Sequence, residues 1–232
     1  MKAIVVSKKE VARATLQIEL KPEEPMDFLP GQYMDLILID PPYQDVRGPK
    51  RHFSITNSPN HNETLTMTTR LRDSAFKKTL QEMPIGGEIE IHHIGGKFTL
   101  PEDINKNYVF IAGGIGITPF MSMLRYIKDN HMDYKITLIY SNRDKESTPF
   151  FEELSAIDNP NLRIIFTMTE DPNWTGEKRR VDASFIKEYL SKPNNYIYYM
   201  AGPPPMVEAV TQELKQAGVQ GQNIITENFT GY

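Results

Sequence analysis

One stretch of the chain has the residue types and spacing to hold a phosphate. Tyr108-Val109-Phe110-Ile111-Ala112 is apolar, and Gly113-Gly114-Ile115-Gly116-Ile117-Thr118-Pro119 follows it directly. The apolar run reads as a buried strand over 109–112, and the residues from Pro119 read as a helix over 119–129. A glycine turn between strand and helix aims backbone N–H groups and the helix N-terminus at an anion, and glycine lets the backbone come close to it. Pro119 suits the first helical turn, where its missing donor leaves nothing unsatisfied. The third glycine or alanine of the full dinucleotide fingerprint is absent. Alone, the turn fits a nucleotide cofactor or a tight connection that binds nothing.

Other groups of residues carry chemistry of the same kind. Arg51-His52-Phe53-Ser54 follows a glycine-proline turn. On a strand, Arg51 and Phe53 share one face while His52 and Ser54 share the other. A guanidinium grips a phosphate bidentately, and an aromatic on the same face can cover a flat ring. An ordinary strand with an exposed Arg and a buried Phe is the alternative. Ser74-Ala75-Phe76-Lys77 reads as the start of a helix over 74–82, with Ser74 as N-cap. Ala201-Gly202-Pro203-Pro204-Pro205-Met206 follows an apolar run, and the chain closes on Glu227-Asn228-Phe229-Thr230-Gly231-Tyr232. An acid and two aromatics in that ending suggest a working segment; a frayed terminus is the alternative.

The elements that must position these residues change period midway. The first hundred residues read as strands over 11–20, 33–39, 51–55, 64–69 and 88–92, after a short strand at the start. Pro30-Gly31, Pro41-Pro42, Gly48-Pro49, Asn57-Ser58-Pro59-Asn60 and Gly86-Gly87 separate them. Short strands so spaced predict an antiparallel barrel or sandwich. Beyond, strands over 108–112, 136–141, 163–168 and 196–200 alternate with helices over 119–129, 149–156, 182–191 and 204–217, the rhythm of a doubly wound parallel sheet. A polar stretch over 101–106 divides the patterns, which predicts domains over 1–103 and 104–232.

Composition excludes several chemistries. The 232 residues contain no cysteine, so there is no disulfide, no cysteine-ligated iron–sulfur cluster, no thiolate nucleophile and no Cys-based zinc site. His92 and His93 face opposite ways on a strand and the five histidines do not cluster, so no metal is expected. A net charge of -4 argues against a nucleic-acid partner. The opening residues read as a strand followed by charges, not as a signal peptide. The longest apolar run, around 108–121, is too short and too rich in glycine for a membrane span. A cytoplasmic protein without membrane insertion is expected.

Arg-x-aromatic-Ser in a β-barrel, then Gly-Gly-x-Gly-x-Thr-Pro, then Gly-Pro-Pro-x-Met, in this order over essentially the whole chain, resembles the ferredoxin–NADP reductase-like flavoprotein superfamily. The resemblance implies an antiparallel Greek-key FAD-binding barrel followed by a doubly wound NAD(P)-binding domain. It implies that Arg51 binds the FAD pyrophosphate, with His52 in the same strand motif. Phe53 would pack on the isoalloxazine and ribityl, and Ser54 would sit near flavin N5. Thr68, Thr69 and Arg70 would contact the flavin and ribityl through backbone groups. Ser74, Ala75, Phe76 and Lys77 would turn N–H groups toward the pyrophosphate. Gly113, Gly114, Gly116, Thr118 and Pro119 would receive the nicotinamide nucleotide, with Thr118 near the nicotinamide. Gly202, Pro203 and Met206 would form a second wall. Glu227 would lie near the reacting atoms, and Phe229 or Tyr232 would shield the flavin face. The chain departs from the family pattern in Phe53 for tyrosine, Ala201 for cysteine and Ile94 for proline.

The strand over 136–140 runs into Ser141-Asn142-Arg143-Asp144-Lys145. An acid at that position suits NAD, while serine and arginine suit a 2′-phosphate. Ser141 and Arg143, with Lys178, Arg179 and Arg180 nearby in sequence, favour NADPH; Asp144 keeps NADH open. The resemblance therefore implies an FAD-dependent oxidoreductase that takes a hydride from NADPH or NADH. Electrons would pass to a separate acceptor such as ferredoxin, flavodoxin or a small molecule. A reductase of free flavin and a non-catalytic FAD relay subunit are the alternatives.

Overall fold

Alternation of buried and exposed positions along the early strands gives each one a core face. In the computed structural model, which describes residues 1–230, six strands form an antiparallel sheet. They are β1 (Lys2–Ala12), β2 (Thr15–Pro22), β3 (Tyr33–Leu38), β4 (Lys50–Ser54), β5 (Leu65–Arg70) and β6 (Glu88–Gly95). Their order is β4-β3-β6-β1-β2-β5, a Greek-key arrangement with β6 inserted between β3 and β1. The ends of that order meet. Ile55, just past β4, bridges Met67 of β5 in antiparallel sense, and Thr56 N–H donates to Thr66 O at 2.8 Å. The barrel so closed is filled by Val5, Ile18, Leu20, Met34, Leu36 and Met67 among others. Helix α1 (Ala75–Glu82) lies between β5 and β6 and opens on Ser74, whose Oγ accepts from Lys77 N–H at 3.4 Å.

The strand expected over 11–20 is two strands. Ala12 pairs with Thr15 across a tight hairpin in which Ala14 takes a positive φ of 52°. The turn has no glycine, proline or asparagine to announce it. It is held instead by Ala14 N–H donating to Glu10 Oε1 at 3.0 Å.

The second sheet is parallel throughout and runs β11-β10-β7-β8-β9. Its strands are β7 (Asn107–Gly113), β8 (Lys135–Asn142), β9 (Leu162–Met168), β10 (Tyr196–Gly202) and β11 (Ile224–Asn228). The intervening helices are α2 (Thr118–Asp129), α3 (Phe151–Ser155), α4 (Ala183–Tyr189) and α5 (Pro204–Gln216). One face buries Val109, Ile111, Ile139, Tyr198 and Met200 against apolar residues of α4 and α5. Strand order reverses at β7 and β10, the switch point of a doubly wound sheet. β11 is a strand where a terminal tail was the alternative: Ile224 to Asn228 pair in register with Tyr198 to Gly202.

Packing divides the described residues into two units, residues 1–100 with 118–130, and residues 101–117 with 131–230. Helix α2 thus packs with the barrel. Ser122 Oγ donates to Asn57 O at 2.8 Å, Arg125 donates to Thr56 O at 2.7 Å, and Phe120 meets Phe98 edge-on at 5.5 Å.

Candidate functional site

In the first unit, the pleat of β4 sends Arg51 and Phe53 inward together. The Arg51 guanidinium lies 5.4 Å over the Phe76 ring, and Phe53 is 5.7 Å from the same ring. Arg51 Nη1 donates to the carbonyls of Arg47, Gly48 and Lys50 at 3.0, 2.8 and 2.7 Å, and Nη2 to Asp45 Oδ1 at 3.1 Å. Ser54 is buried where β4 ends, and Thr68 and Thr69 are buried near the end of β5. Thr68 Oγ1 has no hydrogen-bond partner. Arg70 ends β5. His52 is set apart: it projects to the other face and pairs with Asp35, which also binds Lys50 at 2.6 Å. Burial works against the Asp35 charge, yet Lys50 and His52 hold its carboxyl below the ordinary range.

The start of α1 gathers positive charge. Lys77 is buried, and that burial pushes its ammonium down to about 8, with Arg72, Arg51 and Arg70 pushing the same way. A buried lysine among arginines, beside a helix N-terminus, is a place for an anion. An anion of the protein's own stands there. The Asp45 carboxylate accepts from Arg47 N–H at 2.9 Å and from Arg51 at 3.1 Å, and with them the nearby backbone N–H of Ala75 holds it below the ordinary range. The residues therefore fit a phosphate-bearing cofactor such as FAD. A cleft of about 400 Å³ lined by Arg72, Asp73, Ser74, Lys78, Gln81 and Glu82 runs along one side of α1.

In the second unit, β7 ends at Gly113, and a single 3-10 turn over Gly114–Ile117 leads to α2. That helix begins at Thr118, one residue before the expected start, with Pro119 in its first turn. The glycines do different work. A Cβ on Gly116 would meet Ala201 O at 2.2 Å, and one on Gly113 would meet Met206 Sδ at 2.2 Å, so both allow close packing of β7 and its turn on the end of β10. Gly202 lies 3.2 Å from the Gly113 backbone by the same measure. Gly114 instead has a φ of +53° and nothing within 4 Å of its Cβ position, which leaves its exposed side open to a ligand. Tyr140 Oη donates to Gly114 O at 3.1 Å and is 3.3 Å from Pro149 O, a support for the turn that no local pattern reveals.

Pro203 and Met206 close on Gly113 from the start of α5. Glu227 stands beside Ala201 in the sheet register. Its Oε2 is buried without a partner, and burial pushes its carboxyl up to about 7. Phe229 N–H donates to Gly202 O at 2.8 Å. Tyr232 lies outside the described residues. Ser141 pairs with Gly113 across β7 and β8. Arg143 is largely exposed and 3.9 Å from Glu170. Asp144 turns its carboxylate to Ser147 N–H at 2.8 Å, a local loop contact. Arg179 is not available as expected: it is held by Glu177 at 2.6 Å and Glu188 at 2.9 Å. Lys178 is likewise turned to Pro172 O at 3.0 Å. Sequence reasoning missed Asp45, Arg72 and Tyr140. The spacing Asp-x-Arg-Gly over 45–48 was the available signal for the first.

A closed antiparallel barrel followed by a parallel sheet with a glycine-lined switch point defines a two-domain dinucleotide-binding class. Residues 110–212 match the family described as the oxidoreductase NAD-binding domain. The chain is 27% identical over 220 residues to the phenol 2-monooxygenase reductase component DmpP of Pseudomonas sp. (strain CF600), covering 91% of this chain and 60% of that protein. It therefore spans about three-fifths of that relative's length. The fold matches that of a ferredoxin NADP+ reductase from Neisseria gonorrhoeae with bound FAD and NADP, with TM-score 0.82 and 20% identity over 100% of this chain and 98% of the other. It also matches the ferredoxin reductase in carbazole 1,9a-dioxygenase, with TM-score 0.82 and 24% identity over 99% of this chain and 69% of the other. These matches give the chain the fold of ferredoxin reductases, with an NAD-binding family match over residues 110–212.

Proposed function

We propose that this protein is an FAD-dependent NAD(P)H oxidoreductase that passes electrons to a separate acceptor. The observation that carries the reading is the presence in one chain of a buried cation cluster at α1 and a glycine-lined switch point at β7 and β10. Residues 1–103 would serve the flavin and 104–232 the nucleotide. Arg51, Lys77 and the N–H groups at the start of α1 bind and neutralise the pyrophosphate. Phe53 and Ser54 orient the ring system, with Thr68, Thr69 and Arg70 along it. Gly113, Gly114, Gly116, Gly202 and Pro203 let the nucleotide approach the backbone, and Thr118 lies toward the nicotinamide. Glu227, with a carboxyl near 7, holds a proton on Oε2 through part of the neutral range and can release it. FAD, when bound, supplies the hydride acceptor; the side chains supply position, charge and exclusion of water.

The acceptor is a ferredoxin- or flavodoxin-like protein or a small molecule, in keeping with relatives named as a reductase component of phenol 2-monooxygenase and an electron transfer component of xylene/toluene monooxygenase. Among the described residues no helix is long and apolar enough to cross a membrane, and we assign the protein to the cytoplasm. Ser141 and Arg143 favour NADPH over NADH. Anaerobic stopped-flow of the purified protein tests the whole reading. Rapid bleaching of retained flavin by NADPH is expected, and Arg143→Ala should raise KM for NADPH several-fold, about tenfold at most, while leaving KM for NADH unchanged. Equal effects on both nucleotides would remove Arg143 from the 2′-phosphate. A second reading, reduction of free flavin, is favoured by the Asp45 carboxylate already standing at α1. Flavin lost on gel filtration, with turnover only when flavin is added, would support it.

A further inference from the structure

The segment between β3 and β4 does more than connect them. Arg51 gives one donor arm to its carbonyls at Arg47, Gly48 and Lys50, and the other to Asp45. Gly48 adopts a φ of +67°, which turns its carbonyl back toward that guanidinium. The backbone N–H of Ala75, the first residue of α1, also favours the charged form of Asp45. Two features expected to hold a phosphate, Arg51 and the start of α1, thereby face one carboxylate on a loop whose neighbour Val46 is fully exposed. Arg51 itself retains only 4% of its accessible surface. A carboxylate and a phosphate oxygen compete for the same charge-assisted donors.

We propose that Asp45 is a self-ligand of the flavin-phosphate site, and that loading of a flavin diphosphate requires this carboxylate to leave Arg51 and the start of α1. The inference rests on the reading of this site as the pyrophosphate cradle. Cofactor affinity is then the difference between two anions competing for one cradle. Removing the internal one strengthens binding of the external one. A flavin without phosphate is indifferent to the exchange.

The test uses the full-length protein stripped of flavin, titrated with FAD and separately with riboflavin while flavin fluorescence is followed. Asp45→Ala and the isosteric Asp45→Asn should each bind FAD tighter by about tenfold, the scale of one charge-assisted hydrogen bond, with riboflavin affinity unchanged. Inorganic pyrophosphate, titrated alone by calorimetry, should likewise bind both variants tighter than the parent. Unchanged or weaker FAD binding by the two variants would overturn the self-ligand, as would an equal change for riboflavin. Far-UV circular dichroism of each variant separates loss of folding from loss of affinity. If neither the parent nor the variants bind FAD, the flavoprotein reading itself fails, an outcome distinct from the others.

Discussion

Two titratable side chains give opposite pH signatures because burial acts on opposite charges. Lys77 has its folded-state value depressed to about 8. Between that value and the ordinary lysine value the unfolded chain binds more protons, so stability contributed by this group rises with pH across the window. Phosphate binding reverses the preference, since an anion favours the ammonium. FAD affinity should therefore fall as pH rises beyond about 8, by at most about tenfold per pH unit. Lys77→Gln should bind FAD more weakly at pH 7 and lose that slope in a fluorescence titration. Glu227 has its carboxyl raised to about 7. Here the folded state holds the proton between the ordinary glutamate value and 7, so stability is greatest at the acid end and declines as pH rises through 7. Glu227→Gln should flatten thermal unfolding between pH 5 and 8. It should also remove any inflection near pH 7 from kcat/KM for the nicotinamide nucleotide; an inflection that persists would assign that proton elsewhere.

At the scale of elements, the glycine turn after β7 combines two requirements that look alike in sequence. Gly116 is demanded by contact with the backbone of Ala201, which cannot give way. Gly116→Ala should cost about 1–3 kcal/mol or more, read as a fall of about 2–4 °C in Tm per kcal/mol. Gly114 is demanded by its left-handed backbone, with open space where a Cβ would stand. Gly114→Ala should cost about 1–2 kcal/mol and weaken nucleotide binding beyond what Gly116→Ala does, because the added methyl faces the ligand side. Equal nucleotide affinity in the two variants would remove Gly114 from the phosphate site. The Gly-Gly-x-Gly spacing was legible in the chain, but the division of labour was not. It depends on what β10 brings against the turn, and β10 is some ninety residues away. Arg179 is the converse case. A cation in the right sequence neighbourhood is taken by Glu177 and by Glu188 from α4, and only the folded arrangement puts those acids there.

The whole molecule is assembled less simply than a cut at the polar stretch over 101–106 suggests. Helix α2 follows β7 in the chain but packs with the barrel through Phe120, Ser122, Met123 and Arg125. A fragment ending at residue 103 lacks those contacts and leaves Phe98 and the Thr56 and Asn57 carbonyls without them. It should unfold at lower denaturant concentration than the barrel in the intact chain, and a fragment as stable as the intact barrel would show that α2 adds nothing to it. The two periods, the order barrel then parallel sheet, and the positions of the arginine, glycine and acid-aromatic motifs are legible along the chain. These depend on alternation, turn residues and spacing, which act within a few residues along the chain. Long-range packing alone makes 11–20 a hairpin and 224–228 the strand β11, stands Asp45 in the anion cradle and perturbs Lys77 and Glu227. Each of those depends on which distant backbone or charge arrives alongside, and on how much water it excludes when it does.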